Sequence, residues 1–181
     1  MSAFVDKCLR IVTMRVAYAD PPYIGQGHRY PEKAEVNHPE LIDRLVKNFD
    51  AWALSCSTPS LRYLLPLCPE KVRIGSWVKP FCSFKKGVNP AYAWEAVIFI
   101  PSGRSGRGQV PTIRDWVSAN ITLKKGLVGA KPPEFCFWLF ELLGMKPDDT
   151  FEDLYPGTGI VTEVWFIWKE YKEWLTSGPT Q

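Results

Sequence analysis

Residues 16–23 read Val-Ala-Tyr-Ala-Asp-Pro-Pro-Tyr, an apolar run that ends in a carboxylate, two prolines and an aromatic ring. The apolar run predicts a buried strand. Proline cannot donate to a strand ladder, so the two prolines end the strand. The sequence therefore places Asp20 and Tyr23 at the end of a buried strand, where a carboxylate beside a ring can hold a flat ligand that carries an amine.

A glycine-rich turn near the other end of the chain is the second motif. Residues 150–159 read Thr-Phe-Glu-Asp-Leu-Tyr-Pro-Gly-Thr-Gly, which predicts a short strand and a turn before a helical segment, 160–175. Glycine suits such a turn because a side chain would block close approach of a ligand, and because the turn can demand a positive φ. A nucleotide P-loop would need Gly-Lys-Ser/Thr here, and a NAD site would need a third glycine or alanine at Thr162.

Together, the two motifs resemble those of the amino-methyltransferases that methylate the exocyclic nitrogen of adenine or cytosine in DNA. That family has a catalytic motif Asp/Asn/Ser-Pro-Pro-Tyr/Phe/Trp and a cofactor motif Asp-Pro-Phe-x-Gly-x-Gly. The resemblance implies S-adenosylmethionine as the cofactor. It implies four catalytic residues, which are Asp20, Pro21, Pro22 and Tyr23. It also implies a cofactor site made of Asp153, Tyr155, Pro156, Gly157, Thr158 and Gly159.

The implied chemistry is methylation of a poor nucleophile, since the amine is conjugated to its ring. Asp20 and the Pro21 carbonyl would accept hydrogen bonds from the amine, and Tyr23 would stack on a base flipped out of the duplex. The sulfonium cofactor is a strong electrophile, so no metal is expected. The alternative interpretations are a simple turn after a strand and an ordinary strand-to-helix turn.

The order of the motifs narrows the resemblance. The catalytic motif precedes the glycine turn, as in the permuted β group, in which a target-recognition segment separates the two. In that group a Lys/Arg-Pro pair opens the helix before the cofactor strand, and Lys131-Pro132 stands there. Lys131 would then contact the cofactor carboxylate, although a surface lysine is an equal alternative. The chain is most similar to the small site-specific adenine methylases carried by phages.

Composition indicates a single domain over residues 1–181, with 46% hydrophobic residues to fill a core. Five widely spaced cysteines without a Cys-x-x-Cys pair favour reduced thiols. Two histidines make a zinc site improbable, so no metal site is predicted. No stretch approaches the ~20 apolar residues of a membrane span. We therefore expect a soluble protein in the cytoplasm of a bacterial or phage-infected cell.

The middle of the chain is basic. Residues 71–131 hold eleven Lys or Arg and two acidic residues, a balance that suits phosphate neutralisation on double-stranded DNA. A solvated charged face is the alternative. Within it, the loop-rich segment 80–130 is the candidate recognition region. The candidate DNA contacts are Arg104, Arg107, Lys85 and Lys86.

The predicted fold is α/β, a Rossmann-like methyltransferase fold with a mainly parallel sheet. The segments 72–79 and 94–100 would form an antiparallel pair at one edge. Two strands that usually follow the cofactor-motif helix have no counterpart after Gly159. Four explanations are left open for these two strands: an extra strand from Lys7 to Thr13, a second subunit in a homodimer, weak cofactor binding, or an inactive protein.

Adenine N6 is the favoured target because aspartate opens the catalytic motif, whereas serine is commoner in the cytosine N4 enzymes. The same motif occurs in methyltransferases that act on RNA bases or on a protein glutamine amide, usually with Asn in place of Asp20. A DNA-binding or decoy protein that kept the fold and lost turnover is the alternative outside the enzyme class.

Overall fold

The computed structural model describes residues 13–29, 34–81, 86–104, 112–122 and 130–178. These residues form the strands β1 (Arg15–Ala19), β2 (Ala51–Cys56), β3 (Arg73–Val78), β4 (Trp94–Ile100), β5 (Trp116–Ser118) and β6 (Thr150–Asp153). They also form the α-helices α1 (His38–Asn48), α2 (Leu61–Leu64), α3 (Pro133–Leu143) and α4 (Ile160–Ser177).

The strands make one sheet in the order β5-β3-β4-β2-β1-β6. β4 is antiparallel to both of its neighbours, and the other pairings are parallel. This confirms the mainly parallel sheet and the antiparallel pair β3–β4. The pair is not the outermost one, because β5 adds to β3 and forms the edge of the sheet.

Helices cover both faces of the sheet, and each face has its own core. On one face, α3 and α4 pack through buried aromatic side chains such as Phe135 and Phe140 against the sheet. On the other face, α1 and α2 pack through Leu41, Leu45 and Leu64. β2 is buried along its whole length, as its apolar run predicts.

The helix boundaries follow from local sequence signals. Asn37 caps α1, since its side chain accepts a hydrogen bond from the Glu40 backbone N–H. Gly144 ends α3 in the left-handed conformation at φ 67°. The three tryptophans at 138, 165 and 168 are buried in the core, as their helical spacing favours.

β6 lies at the end of the sheet opposite β5, and α4 is the last element of the described chain. Within the described residues, β6 has a strand partner, β1, on one side. Of the segment Lys7 to Thr13, the structure describes Thr13, which is not in a strand, and the rest lies outside the described residues.

The sheet order brings the two sequence motifs together. β1 and β6 are parallel neighbours, with Tyr18 level with Asp153. Their carboxyl ends therefore meet at one edge of the sheet, where ligands bind in open α/β folds. Among the helices that the structure describes, none is long and apolar enough to span a bilayer.

Candidate active site

The corner formed by residues 20–23, which was predicted to be catalytic, lies directly after β1. The glycine turn lies directly after β6. The backbone N–H of Leu154 donates to the Tyr18 carbonyl at 2.9 Å, which ties the end of β6 to the end of β1. Asp20 is the first residue after β1, and Gly157 lies four residues after Asp153, the last residue of β6. The two motifs, about 130 positions apart in sequence, thus share one cleft edge.

Asp20 forms an ion pair with a buried lysine. The Nζ atom of Lys131 lies 3.2 Å from Asp20 Oδ2, and Lys131 is 4% exposed. The same ammonium donates to Glu95 Oε1 on β4. Lys131 precedes α3, whose first backbone N–H groups bond to the Pro132 carbonyl, so the start of the helix fixes the position of the lysine. The Lys131 ammonium thus bridges Asp20, which follows β1, and Glu95 on β4, two strands away in the sheet.

A second lysine completes this charge network, which comprises Asp20, Lys131, Glu95 and Lys79. Lys79 Nζ donates to Glu95 Oε2 at 2.9 Å. Both lysines also lie over the Trp77 ring, at 4.4 Å for Lys79 and 5.3 Å for Lys131. Cations over an aromatic face are attracted by its quadrupole, which offsets part of their cost of burial. Two cations and two carboxylates therefore face one another in a mostly buried setting.

The network shifts the pKa of Asp20, Glu95 and Lys131, each in a direction set by burial and by its neighbours. Burial raises the pKa of Asp20 to about 6, against the lowering effect of Lys131. Burial also favours neutral Glu95, but Lys131 and Lys79 hold its pKa below the usual range. Burial would lower the pKa of Lys131, yet the charges of Asp20 and Glu95 raise it. Glu95 and Lys131 are thus ionised at neutral pH, and Asp20 titrates closest to it.

Tyr23 and the loop after it are held beside this network. Burial raises the pKa of the Tyr23 hydroxyl well above its usual value, and the negative charges of Glu95 and Asp20 add to the effect. The loop turns at once, since the Gln26 N–H donates to the Tyr23 carbonyl at 2.8 Å. The Glu35 carboxylate then accepts from the backbone of Gly25 and Gly27. Tyr23 is therefore a neutral ring on a fixed loop.

The glycine turn presents open space and an unsatisfied acceptor. Gly157 and Gly159 have positive φ values of 50° and 80°, and a Cβ built on Gly159 would meet no atom within 4 Å. Asp153 Oδ1 accepts from the Tyr155 N–H, whereas the buried Oδ2 has no hydrogen-bond partner among the described atoms. Burial raises the pKa of Asp153, against the lowering effect of hydrogen bonds with the Tyr155 N–H and the Thr162 side chain. Since Oδ2 itself meets no donor at hydrogen-bond geometry, it suits a ligand that brings an N–H group.

The predicted site residues do not all lie where the sequence suggested. Lys131 is buried against Asp20 and Glu95, so the surface-lysine alternative is wrong, and its ammonium pairs with protein carboxylates at the catalytic corner. Lys86 is exposed in the β3–β4 loop. Lys85 and Arg107 lie outside the described residues.

Arg104 has a structural partner. Its Nη1 donates to both carboxylate oxygens of Asp149 at 2.8 Å, and the Arg104 side chain is 13% exposed. Asp149 also accepts from the backbone N–H of Met14, next to β1. The sequence predicted that Arg104 contacts DNA. In the structure its guanidinium instead forms an ion pair with Asp149 inside the protein.

Sequence reasoning missed Glu95 and Lys79. Glu95 stands alone in the otherwise apolar strand β4, and it is one of the two acidic residues of the basic middle segment. A single carboxylate in a buried strand is expensive unless it is paired, so its isolation was the signal that could have predicted a buried ion pair.

The sheet order, the helices on both faces and the paired motifs at one edge define a methyltransferase-like α/β fold. Solved structures with this fold include the DNA methyltransferase M1.HpyAVI in complex with SAM. It superposes with a TM-score of 0.57 at 15% identity, covering 87% of this chain and 80% of that chain. M1.HpyAVI alone gives a TM-score of 0.56 at 14% identity, with 87% and 78% covered.

No protein-family model matches the sequence. No curated protein matches it either. Among the described residues, no group of three His, Cys, Asp or Glu side chains could hold a metal ion.

Proposed function

We propose that this protein transfers a methyl group from S-adenosylmethionine to the exocyclic amine of a base in DNA, with adenine N6 as the target. The observation that carries the proposal is the meeting of the Asp20 corner and the glycine turn at the ends of β1 and β6. The shared fold with M1.HpyAVI supports it. In this proposal residues 1–181 act as one catalytic domain.

The glycine turn fits the methionine end of S-adenosylmethionine. Asp153 Oδ2 is a buried acceptor without a partner, and an amino group is the donor that it needs. Gly157 and Gly159 leave room above the backbone, with Tyr155, Pro156 and Thr158 completing the turn. When bound, the cofactor supplies an electrophilic methyl group on a sulfonium.

The residues of the corner act on the base. Asp20 accepts a hydrogen bond from the exocyclic amine, and the Pro21 carbonyl accepts a second one, which stabilises positive charge as it develops on nitrogen. Pro22 keeps the corner rigid, and Tyr23 stacks on the base. The Lys131 ammonium holds Asp20 in the ionised form that can accept. Lys131 is thus a positioning residue in this proposal.

Double-stranded DNA is the proposed partner, bound through the basic middle segment, with the exposed Lys86 as a phosphate contact. Lys85 and Arg107 are further candidates from the sequence. We place the enzyme in the cytoplasm of a bacterial or phage-infected cell, where such DNA is available. A homodimer is a compatible state, since β6 has a free edge in the described chain.

Mass spectrometry of nucleosides tests the proposal. The purified protein is incubated with S-adenosylmethionine and, in separate reactions, with duplex oligonucleotides, RNA or protein, and the digested DNA is analysed for N6-methyldeoxyadenosine and N4-methyldeoxycytidine. We expect N6-methyldeoxyadenosine. N4-methyldeoxycytidine would assign the cytosine enzyme, and product on RNA or on a glutamine amide would assign the corresponding rival substrate. Binding of DNA without product in any reaction would identify a DNA-binding protein that lost turnover.

The matched control compares two exposed or partly exposed aspartates. Asp20→Ala removes the proposed acceptor and is expected to abolish product, while calorimetry should find cofactor affinity within a few-fold of the parent. Asp43→Ala removes a surface aspartate that pairs with Lys47 on α1, and it should leave both values unchanged. Full turnover of the Asp20 variant would refute the catalytic assignment.

A further inference from the structure

We propose that three exposed aromatic side chains at the mouth of the site, Phe81, Tyr92 and Trp94, form a stacking surface for the nucleotides that flank the target base. We call them the aromatic rim. This inference rests on the proposed function, because it assumes that the chain at this mouth is DNA. It adds a binding surface and the chemistry of its occupant to the site already described.

The rim lies at the same sheet edge as Asp20. The β3–β4 loop leaves the sheet at its carboxyl edge, where Val78 pairs with Trp94. β4 is two strands away from β1, which is about 10 Å at the usual spacing of neighbouring strands. Side chains alternate along β4, so Trp94 lies on the α1–α2 side of the sheet while Glu95 lies on the side of the charge network. The rim therefore flanks the corner across the end of the sheet, and it would meet nucleotides beside the target base.

The rim side chains are about half exposed despite their size. Phe81 is 55% exposed, Tyr92 is 52% exposed and Trp94 is 41% exposed. Large aromatic side chains normally bury most of their area in the core, as Trp77 does one residue before Val78. Exposed aromatic faces grouped at a cleft mark a binding surface, and every nucleobase offers a π face to stack on them.

Their backbone is fixed on both sides of the loop. The Lys79 N–H donates to the Ala93 carbonyl at 2.8 Å, which closes the ladder just below the rim. The Phe81 N–H donates to the Asn120 side-chain oxygen at 3.2 Å, so the segment after β5 holds Phe81 in place. A preorganised aromatic surface loses little conformational entropy when it binds.

The charge around the rim suits a phosphate backbone. Lys86 is exposed in the same loop. The two acidic residues of segment 71–131 are both paired with cations: Glu95 with Lys79 and Lys131, and Asp115 with Arg73 at 3.7 Å. The local charge is therefore positive, and interleaved basic and aromatic side chains are the composition that binds a single nucleic-acid strand.

The test is a double variant, Tyr92→Ala with Trp94→Ala, in the full chain. Fluorescence anisotropy with a labelled duplex that contains one unpaired target base should show a loss of affinity of about tenfold or more, since two stacking contacts are removed. Cofactor affinity by calorimetry should stay at the parent value. In turnover, KM for DNA should rise while kcat at saturating DNA is kept.

Two controls make the result specific. Trp174→Ala removes a tryptophan of comparable exposure, 56%, from the last turns of α4, and it should leave DNA affinity unchanged. Tyr92→Phe with Trp94→Phe keeps two aromatic faces and should retain most of the affinity. Circular dichroism and thermal unfolding verify that each variant is folded.

Four outcomes would overturn the proposal. Unchanged DNA affinity in the double alanine variant is the first, and an equal loss in the Trp174 variant is the second. The third is a change in sedimentation mass without a loss of DNA affinity, which would make the rim a contact between copies of the chain. An RNA of the same sequence that binds more tightly and depends on the same side chains would overturn the DNA assignment. DNA binding is measured directly in this test. If DNA affinity depends on the rim but no methyl group is transferred, the inference about the rim is supported and only the proposed function is refuted.

Discussion

A single cation decides how Asp20 can act. Burial pushes the pKa of Asp20 up to about 6, and without an opposing charge the carboxyl would be protonated over more of the physiological range. Lys131, 3.2 Å away, opposes that shift. A protonated carboxyl donates its proton and cannot serve as a pure acceptor, so the ion pair maintains the form that an amine substrate needs.

A pH dependence of turnover follows from this pairing. We expect kcat to rise with pH through about 6, because Asp20 must lose its proton to accept from the amine. Lys131→Met removes the charge that lowers the pKa of Asp20, so the acid limb should move to higher pH. The measurement is a pH–rate profile of both proteins at saturating DNA and cofactor. A limb that stays in place, or moves to lower pH, would contradict the role of Lys131.

The residues of the two motifs could be found from sequence because each motif is local. Asp20 and Tyr23 are three positions apart, and Gly157 and Gly159 are two apart. Glu95 could not be paired in this way, since Lys131 is 36 positions further along the chain. That pair exists because β4 and the start of α3 meet in the folded state, which is a tertiary fact. Lys131 was therefore selected from the sequence without its protein partners, Asp20 and Glu95.

At the scale of elements, the charge network joins four pieces of the fold. Asp20 follows β1, Glu95 lies on β4, Lys79 follows β3 and Lys131 precedes α3. Buried ions are stable only as a paired set, because removing one partner leaves another without its counter-charge. Glu95 is central, since it accepts from both lysines.

Glu95→Gln should therefore destabilise the protein strongly. The neutral amide leaves the buried Lys131 and the partly buried Lys79 with less compensation, and breaking a buried ion pair costs about 3–5 kcal/mol. Asp115→Asn is the matched control, because it neutralises the other acidic residue of the segment, whose contact with Arg73 is exposed and worth about 0–1 kcal/mol. Urea unfolding measures both. Equal losses in the two variants would show that the network does not stabilise the fold.

The β6–α4 junction was predictable in outline, since a strand, two glycines and an apolar helix follow one another in sequence. β5, Trp116–Ser118, was not assigned as a strand from the sequence. Its position is set by pairing with β3, which local propensity does not report.

Gly157→Val tests the turn itself. The valine side chain would project into the space proposed for the methionine end of the cofactor, so affinity for S-adenosylmethionine should fall at least tenfold in calorimetry. The substitution also strains the backbone, because φ is 50° at Gly157. Gly103→Val carries a similar strain at φ 70°, away from the turn, and serves as the control. If both variants bind the cofactor equally, the pocket assignment of Gly157 is wrong.

For the whole molecule, the uneven distribution of charge is the property that bears on the partner. Residues 71–131 hold eleven Lys or Arg and two acidic residues, an excess larger than the net charge of +3 of the whole chain. The segment includes β3, β4 and β5. The uneven charge could be read from the sequence, but which basic side chains pair with carboxylates of the protein could not. Arg104 is held by Asp149, so that part of the excess neutralises an internal carboxylate.

The salt dependence of DNA binding measures which cations remain for phosphates. Each phosphate contact contributes about 0.9 to the slope of log affinity against log salt concentration. Lys86 is exposed in the β3–β4 loop, which also carries Phe81 and Tyr92 of the aromatic rim. Lys86→Gln should therefore lower the slope by about 0.9 and weaken binding to all duplex sequences alike.

Lys146→Gln provides the comparison, because Lys146 is equally exposed but precedes β6 at the opposite edge of the sheet. Removing its charge changes the net charge by the same amount, so a response to net charge alone would appear in both variants. We expect the parent slope for Lys146→Gln. Identical slopes in the two variants would show that DNA senses the overall charge and not the mouth of the site, and a loss confined to particular sequences would mean that Lys86 contacts base edges.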